Sequence, residues 1–134
     1  ACKGYAAENA TAPSHEAREP MTSQLVSLNR AAVRSEQSRP DPARVISGDP
    51  VFTTWNIEES AGLYCGLWQC TPGKWRIRYD EWEYCRIISG VSVISEDGGA
   101  ARIVRAGDSF ILRPGFQGTW EVLETTLKDY VIRL

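Results

Sequence analysis

The stretch EYCRIISGVSVISEDGGAARIVRAGDSFILRPG, residues 83–115, carries the pattern from which the fold is predicted. Four short runs rich in Val, Ile, Tyr and Phe follow one another in it, separated by Gly, Asp and Pro. Asp97-Gly98-Gly99 and Pro114-Gly115 are turn signals. Short β-branched runs between turns, with no helical period, predict antiparallel strands.

The same texture extends from Val45 to the C-terminus. Five further runs of this kind are 51–57, 62–70, 74–79, 118–124 and 127–134. Nine short strands at near-regular spacing predict an all-β sandwich or barrel over residues 45–134. The chain of 134 residues is too short for two ordinary domains.

Residues 1–44 are predicted to be an N-terminal tail and arm. Residues 1–20 are rich in Ala, Glu and Pro, which is typical of a mobile tail. Residues 24–33 are mildly apolar and fit either a short strand or a helical turn. Residues 35–44 contain two prolines in three positions, which predicts a linker without regular structure.

Charge and cysteine usage narrow the class of protein. A net charge of −2 argues against nucleic acid or an anionic membrane as the partner. Residues 1–20 lack the apolar core of a signal peptide.

The four cysteines show no CxxC pair and no zinc spacing, so free thiols in the cytoplasm are expected, although a Cys65–Cys70 disulfide stays open. The single histidine, His15, leaves no Ser-His-Asp triad or Cys-His pair in the folded body, unless the tail folds back onto it.

Residues 73–90 resemble the first motif of the cupin superfamily. That motif runs Gly, five residues, His-x-His, three or four residues, Glu, six residues and Gly. Glu83 and Gly90 fit its last two positions. The two positions that hold metal-binding histidines in the family fall on Ile77 and Tyr79.

Residues 107–120 resemble the second cupin motif. Gly115 matches a glycine of that motif, and Arg113 stands where the motif has its proline. The position of the third histidine is Gly118, and that of the asparagine is Val122. The resemblance therefore retains one of the four metal-binding positions, the glutamate.

A closer resemblance is to small single-domain bacterial cupins similar to the ethanolamine-utilisation Q protein, and to the cupin domain of ureidoglycine aminohydrolases. The segments that carry it are GLWQCTPGKWRI, EYCRIISG, AGDSFILRPGFQGTWEVLE and KDYVIRL. It implies a cupin double-stranded β-helix, the RmlC-like jelly-roll barrel, and usually a dimer. Most members have no defined activity, so the fold transfers better than the function.

If the metal-binding positions of the cupin motifs face inward, as the resemblance implies, alternation along the strands predicts the lining of a small-molecule site. The candidate ligand-binding residues are Tyr79, Glu81, Glu83, Cys85, Trp120, Trp68, Trp75 and Arg113. Glu83 would be poorly solvated among aromatic rings, so it is a candidate general acid or base assisted by Tyr79. It is equally interpreted as a structural carboxylate that accepts a hydrogen bond from Tyr79.

We expect no tightly bound transition metal and no cofactor. Ile77 and Gly118 offer no ligand atom, and Tyr79 would ligate only after losing its proton.

The leading hypothesis is a cytoplasmic homodimer that binds a small metabolite. One alternative is an aminohydrolase- or isomerase-like enzyme that uses Glu83, and another is a non-catalytic subunit of a larger assembly.

Overall fold

The computed structural model describes residues 23–134, so the predicted tail, with Cys2 and His15, lies outside the described residues. Its strands are β1 (Glu36–Ser38), β2 (Val45–Gly48), β3 (Phe52–Ser60), β4 (Leu63–Cys70), β5 (Gly73–Arg78), β6 (Trp82–Glu96), β7 (Ala101–Arg105), β8 (Ser109–Leu112) and β9 (Gln117–Arg133). Two single-turn 3₁₀ helices span Arg30–Ala32 and Pro42–Arg44. In this part of the chain, no helix has the length and apolar character needed to cross a membrane.

The strands form one curled antiparallel sheet built around two long neighbours, β6 and β9. The first and second halves of β6 pair with β8 and β7, respectively. In the same way, the two halves of β9 pair with β5 and β4, and β2, β3 and β1 extend the sheet beyond those strands. The prediction of an all-β jelly-roll fold is confirmed.

The two long strands replace four of the predicted short ones. The runs 83–89 and 91–96 form β6 without a break, because Gly90 is a bulge and not a strand end. Gly90 has φ +88°, and a Cβ atom there would lie 2.1 Å from the carbonyl oxygen of Thr125. Only glycine permits this close approach, and the register against β9 shifts on both sides of it.

The predicted linker, residues 35–44, is wrong for six of its ten residues, because it contains β1 and the 3₁₀ helix Pro42–Arg44. Glu36–Ser38 pairs with β3 as an edge strand, and Pro40 follows two residues after its end. An edge strand tolerates neighbouring prolines because one side of its backbone makes no ladder hydrogen bonds. Beyond the prolines, Val45–Gly48 pairs with β5.

The core lies inside the curl of the sheet and is rich in aromatic side chains. Phe52, Trp68, Trp75 and Trp120 are at most 2% exposed and contact one another. The rings of Trp75 and Trp120 are nearly parallel, with an angle of 14° and centroids 6.5 Å apart. Burying such large rings supplies much of the apolar surface that stabilises a small domain.

Candidate functional site

A fully buried network surrounds the glutamate of the first cupin motif. Glu83 extends from β6 into the core, where its Oε2 atom accepts a hydrogen bond from Nζ of Lys128 at 2.9 Å. Its Oε1 atom accepts a hydrogen bond from the Tyr79 hydroxyl at 2.5 Å. All three residues are 0% exposed. Both oxygens of the carboxylate are therefore already engaged by protein donors.

The ammonium of Lys128 is enclosed on its other sides as well. Its Nζ atom lies 3.5 Å from the sulfur of Cys85. It also lies over the rings of Trp68 and Trp120, 4.5 Å and 4.7 Å from their centroids. Indole faces attract a cation through their quadrupole, and the attraction is stronger where water is absent.

Sequence reasoning missed Lys128, although one signal was available. Lysine is almost never fully buried, so it is normally interpreted as a solvated side chain. Yet the buried positions of β9 include Trp120 and Val122, and counting onward in steps of two reaches Lys128 and then Tyr130. The inward facing predicted for Glu83, Cys85 and Tyr79 agrees with the burial of their side chains.

Glu81 lies in the turn between β5 and β6 and is only 3% exposed. Its Oε1 atom accepts a hydrogen bond from the backbone N–H of Asp80 at 3.1 Å. Its Oε2 atom is buried without a hydrogen-bond partner. Burial raises the pKa of the Glu81 carboxyl, and the nearby charge of Glu83 raises it further.

A cleft of about 630 Å³ opens beside this network, bordered by β7, β8 and the turn that precedes β9. Two partly buried rings that line the cleft, Phe110 and Phe116, lie against the network. Phe110 packs on Trp120 with centroids 6.0 Å apart, and Phe116 meets Tyr79 edge-on at 6.2 Å. A single layer of rings therefore separates the cleft from residues that contact Glu83 and Lys128.

The polar lining of the cleft carries both signs of charge, from Arg102, Arg113, Glu96 and Asp108. Asp108 accepts a hydrogen bond from the backbone N–H of Arg105 at 2.9 Å and so caps the turn between β7 and β8. Arg113 is exposed and lines the cleft. The remaining predicted ligand-binding residues lie outside the lining of this cleft, and their roles stay predictions; they are Tyr79, Glu81, Glu83, Cys85, Trp68, Trp75 and Trp120.

The positions of the missing cupin histidines do not fit a metal ion. A Cβ atom on Gly118 would lie 1.9 Å from the carbonyl oxygen of Ser95, so the paired strands leave no space there for a larger side chain. Ile77 is buried in the core and has no ligand atom. Within residues 23–134, no group of three or more His, Cys, Asp or Glu side chains could hold a metal ion.

The cysteines of the described region are free thiols. Cys70 and Cys85 are buried and Cys65 is half-buried. Cys65 and Cys70 do not form the disulfide that the sequence left possible. Burial raises the pKa of the Cys65 thiol, and the negative charges of Asp129 and Glu58 add to the effect. A thiol with a raised pKa is a poor nucleophile at neutral pH.

Comparison with known proteins places this fold in a family. A sequence model described as the EutQ-like cupin domain matches residues 57–130, which is more than half of the chain. The chain belongs to the EutQ-like cupin family. Among solved structures, this EutQ-like cupin is similar to a protein of unknown function from Pseudomonas syringae pv. tomato str. DC3000, with 27% identity and a TM-score of 0.74. That match covers 83% of this chain and 48% of the other, so the chain spans about half the length of the Pseudomonas protein.

Two ethanolamine-utilisation proteins share the fold. The Clostridium difficile EutQ protein is 20% identical, with a TM-score of 0.57 and coverage of 63% of both chains. A putative ethanolamine utilization protein Q from Salmonella typhimurium LT2 is 13% identical, with a TM-score of 0.58 and coverage of 78% of this chain and 82% of the other. No curated protein matches the sequence. The comparisons therefore establish a EutQ-like cupin of undefined activity, and the resemblance to ureidoglycine aminohydrolases stays an expectation.

Proposed function

We propose that this EutQ-like cupin binds a small metabolite in the cleft beside β7 and β8 and requires no transition metal for binding. The observation that supports the proposal is the cleft itself. Its volume of about 630 Å³ falls within the range of roughly 300–1,000 Å³ typical of small-molecule sites. Its lining combines aromatic rings with a few charged groups, which is the usual composition of such sites.

The lining favours a small organic acid with an apolar portion. Phe110 and Phe116 offer an apolar surface. The guanidinium groups of Arg102 and Arg113 have the planar fork geometry that pairs with a carboxylate through two hydrogen bonds. In this proposal Tyr79 and Trp120 form the wall behind the two phenylalanine rings, and a ligand reaches them when those rings turn aside.

Tryptophan fluorescence is a direct assay, because Phe110 contacts Trp120. A panel of small acids, amides and sugars would be titrated into the protein, and we expect at least one acid to change the emission. Arg113→Ala should then weaken binding of that acid at least about tenfold, since hydrogen bonds to charged groups contribute about 1.5–3 kcal/mol and about 1.4 kcal/mol is a factor of ten. Arg78→Ala is the matched control, because Arg78 is an exposed arginine outside the cleft lining.

Two results would count against metabolite binding in the cleft. If no compound changes the fluorescence, the non-catalytic assembly subunit becomes the favoured function. If Arg113→Ala and Arg78→Ala bind an active compound equally well, the compound does not sit in the cleft as described.

A second candidate function is acid–base catalysis of an aminohydrolase or isomerase type. The fully buried Tyr79–Glu83–Lys128 network favours it, because ionisable groups held in a low-dielectric interior cluster at functional sites. Glu83 would act as acid or base with Tyr79 assisting, after one of its two partners moves away. For a compound identified in the screen, Glu83→Gln should abolish turnover while leaving binding intact. Equal turnover by Glu83→Gln would remove this candidate.

We also propose that the protein is a cytoplasmic homodimer. Ile46 on β2 is 52% exposed, and β2 is an edge strand that pairs only with β5 among the described strands. Apolar side chains on unpaired strand edges favour contact with a second copy. The free thiols fit a reducing compartment.

A further inference from the structure

We infer that the ammonium of Lys128 takes the place that a metal ion holds in a cupin barrel. Glu83 is the one motif position that retains a metal-binding side chain, and Lys128 donates to it at 2.9 Å. The cation beside this carboxylate is therefore part of the chain itself. This inference concerns the interior behind the cleft and goes beyond the proposed binding of a metabolite.

The enclosure of the ammonium leaves no adjacent position for a second cation. Its Nζ atom contacts Cys85 and the faces of Trp68 and Trp120, in addition to Glu83, and its side chain is 0% exposed. A divalent ion bound to Glu83 would lie a few ångströms from this positive charge. Like charges at that distance repel strongly in a low-dielectric interior.

The hydrogen-bonding chemistry of the surrounding groups also opposes a metal. A metal ion needs lone pairs, whereas an ammonium and an indole N–H are donors only. The indole Nε1 atoms of Trp75 and Trp120 are buried without hydrogen-bond partners. The close approach of Gly118 to Ser95 closes the position of the third histidine. The interior is therefore organised around a fixed organic cation.

Chemical rescue tests this role. Lys128→Ala removes three methylene groups beyond Cβ, together with the ammonium, and leaves space beside Glu83. We expect n-propylammonium to raise the thermal midpoint of this variant by about 5 °C at ten times its Kd. The neutral 1-propanol, which has the same chain length, should raise it far less. Lys74→Ala is the matched control and should respond to neither compound. Lys74 lies on β5, and it forms neither a hydrogen bond nor an ion pair with Glu83.

Three measurements on the unaltered protein apply even if Lys128→Ala does not fold. Reductive methylation of the folded protein should modify Lys74, which is half-buried, and leave Lys128 unmodified. Zinc and manganese ions should not shift the thermal midpoint, and protein purified without an affinity tag should contain well under one metal per chain.

Three outcomes would overturn the inference. Equal rescue by 1-propanol would show that Lys128 acts only through packing. Methylation of Lys128 as fast as Lys74 would show that the ammonium is not enclosed. A stoichiometric metal that survives dialysis against a chelator and is lost in Glu83→Gln would show that a metal holds the position. None of these outcomes bears on ligand binding in the cleft, so the two proposals fail separately.

Discussion

Replacing Lys128 by Met should destabilise the protein strongly, although methionine preserves the length and much of the apolar volume of the side chain. The substitution leaves the Glu83 carboxylate 0% exposed, without its ion-pair partner and with Tyr79 as its other hydrogen-bond donor. Removing one partner of a buried ion pair costs about 3–5 kcal/mol in free energy of unfolding. Since the total free energy of unfolding of a small domain is about 5–15 kcal/mol, this loss is a large fraction of it.

The double variant Glu83→Gln/Lys128→Met should be closer to the wild type than Lys128→Met alone. It removes both charges, so the desolvation cost of burying them disappears together with their attraction. Uncharged replacements of buried ion pairs are often neutral, and we expect a loss below about 2 kcal/mol. The sum of the two single losses should then exceed the loss in the double variant by at least about 2 kcal/mol.

Urea unfolding followed by tryptophan fluorescence and circular dichroism gives these free energies by linear extrapolation. Lys74→Met is the control, and its loss should stay within about 0.5 kcal/mol. The reasoning is refuted if the single losses add up to the double loss within about 0.5 kcal/mol, because the two charges would then be energetically independent. A loss below about 1 kcal/mol for Lys128→Met alone would refute it as well.

Three further predictions concern other features of the fold. Gly118→Ala places a Cβ atom 1.9 Å from the carbonyl oxygen of Ser95 and should cost at least about 1–3 kcal/mol in urea unfolding, whereas Gly99→Ala, 3.5 Å from its nearest neighbour, should cost much less. In the folded state the pKa of the Glu81 carboxyl is raised above its ordinary value of 4.5, so the folded protein holds this proton more tightly than the unfolded chain does. As pH rises above 4.5 the unfolded chain loses the proton first, and the free energy of unfolding therefore falls. Glu81→Gln should therefore gain stability relative to the wild type above that pH and lose this advantage below it; a difference independent of pH would contradict this cause. Sedimentation at micromolar concentration should show a species of twice the chain mass, and a monomer would contradict the proposed dimer.

The sequence predicts the strands well because a half-buried strand imposes a period of two on its side chains. It does not predict which strands continue through a bulge. Gly90 in Ser-Gly-Val is typical of a strand end. It is glycine because the backbone of Thr125, distant in the chain but adjacent in the sheet, leaves no space for a Cβ atom. The edge strand Glu36–Ser38 was missed for a related reason, since its pairing partner β3, and not its own composition, defines it.

The site is predicted in part for similar reasons. The cupin resemblance implies that Glu83 and Tyr79 face inward, and alternation then places Cys85 on the same face as Glu83. Alternation along β9 also reaches Lys128, but its burial was not predicted because it depends on a carboxylate 45 positions earlier in the chain and on two indole faces. The cleft depends on the space bordered by β7, β8 and the turn before β9, and no local pattern in the sequence encodes such a space.

The two long strands also determine how the domain folds and opens. Each of β6 and β9 runs through both halves of the sheet, so neither half has a complete ladder of hydrogen bonds without the other. Backbone amides of β4 and β5, which flank opposite halves, should therefore exchange with solvent through one shared global opening and not through separate local ones. Assembly of this central pair joins residues far apart in the chain, such as Trp82 and Arg133. Such distant contacts require large loops to close before any pairing stabilises them, which makes folding slow and cooperative.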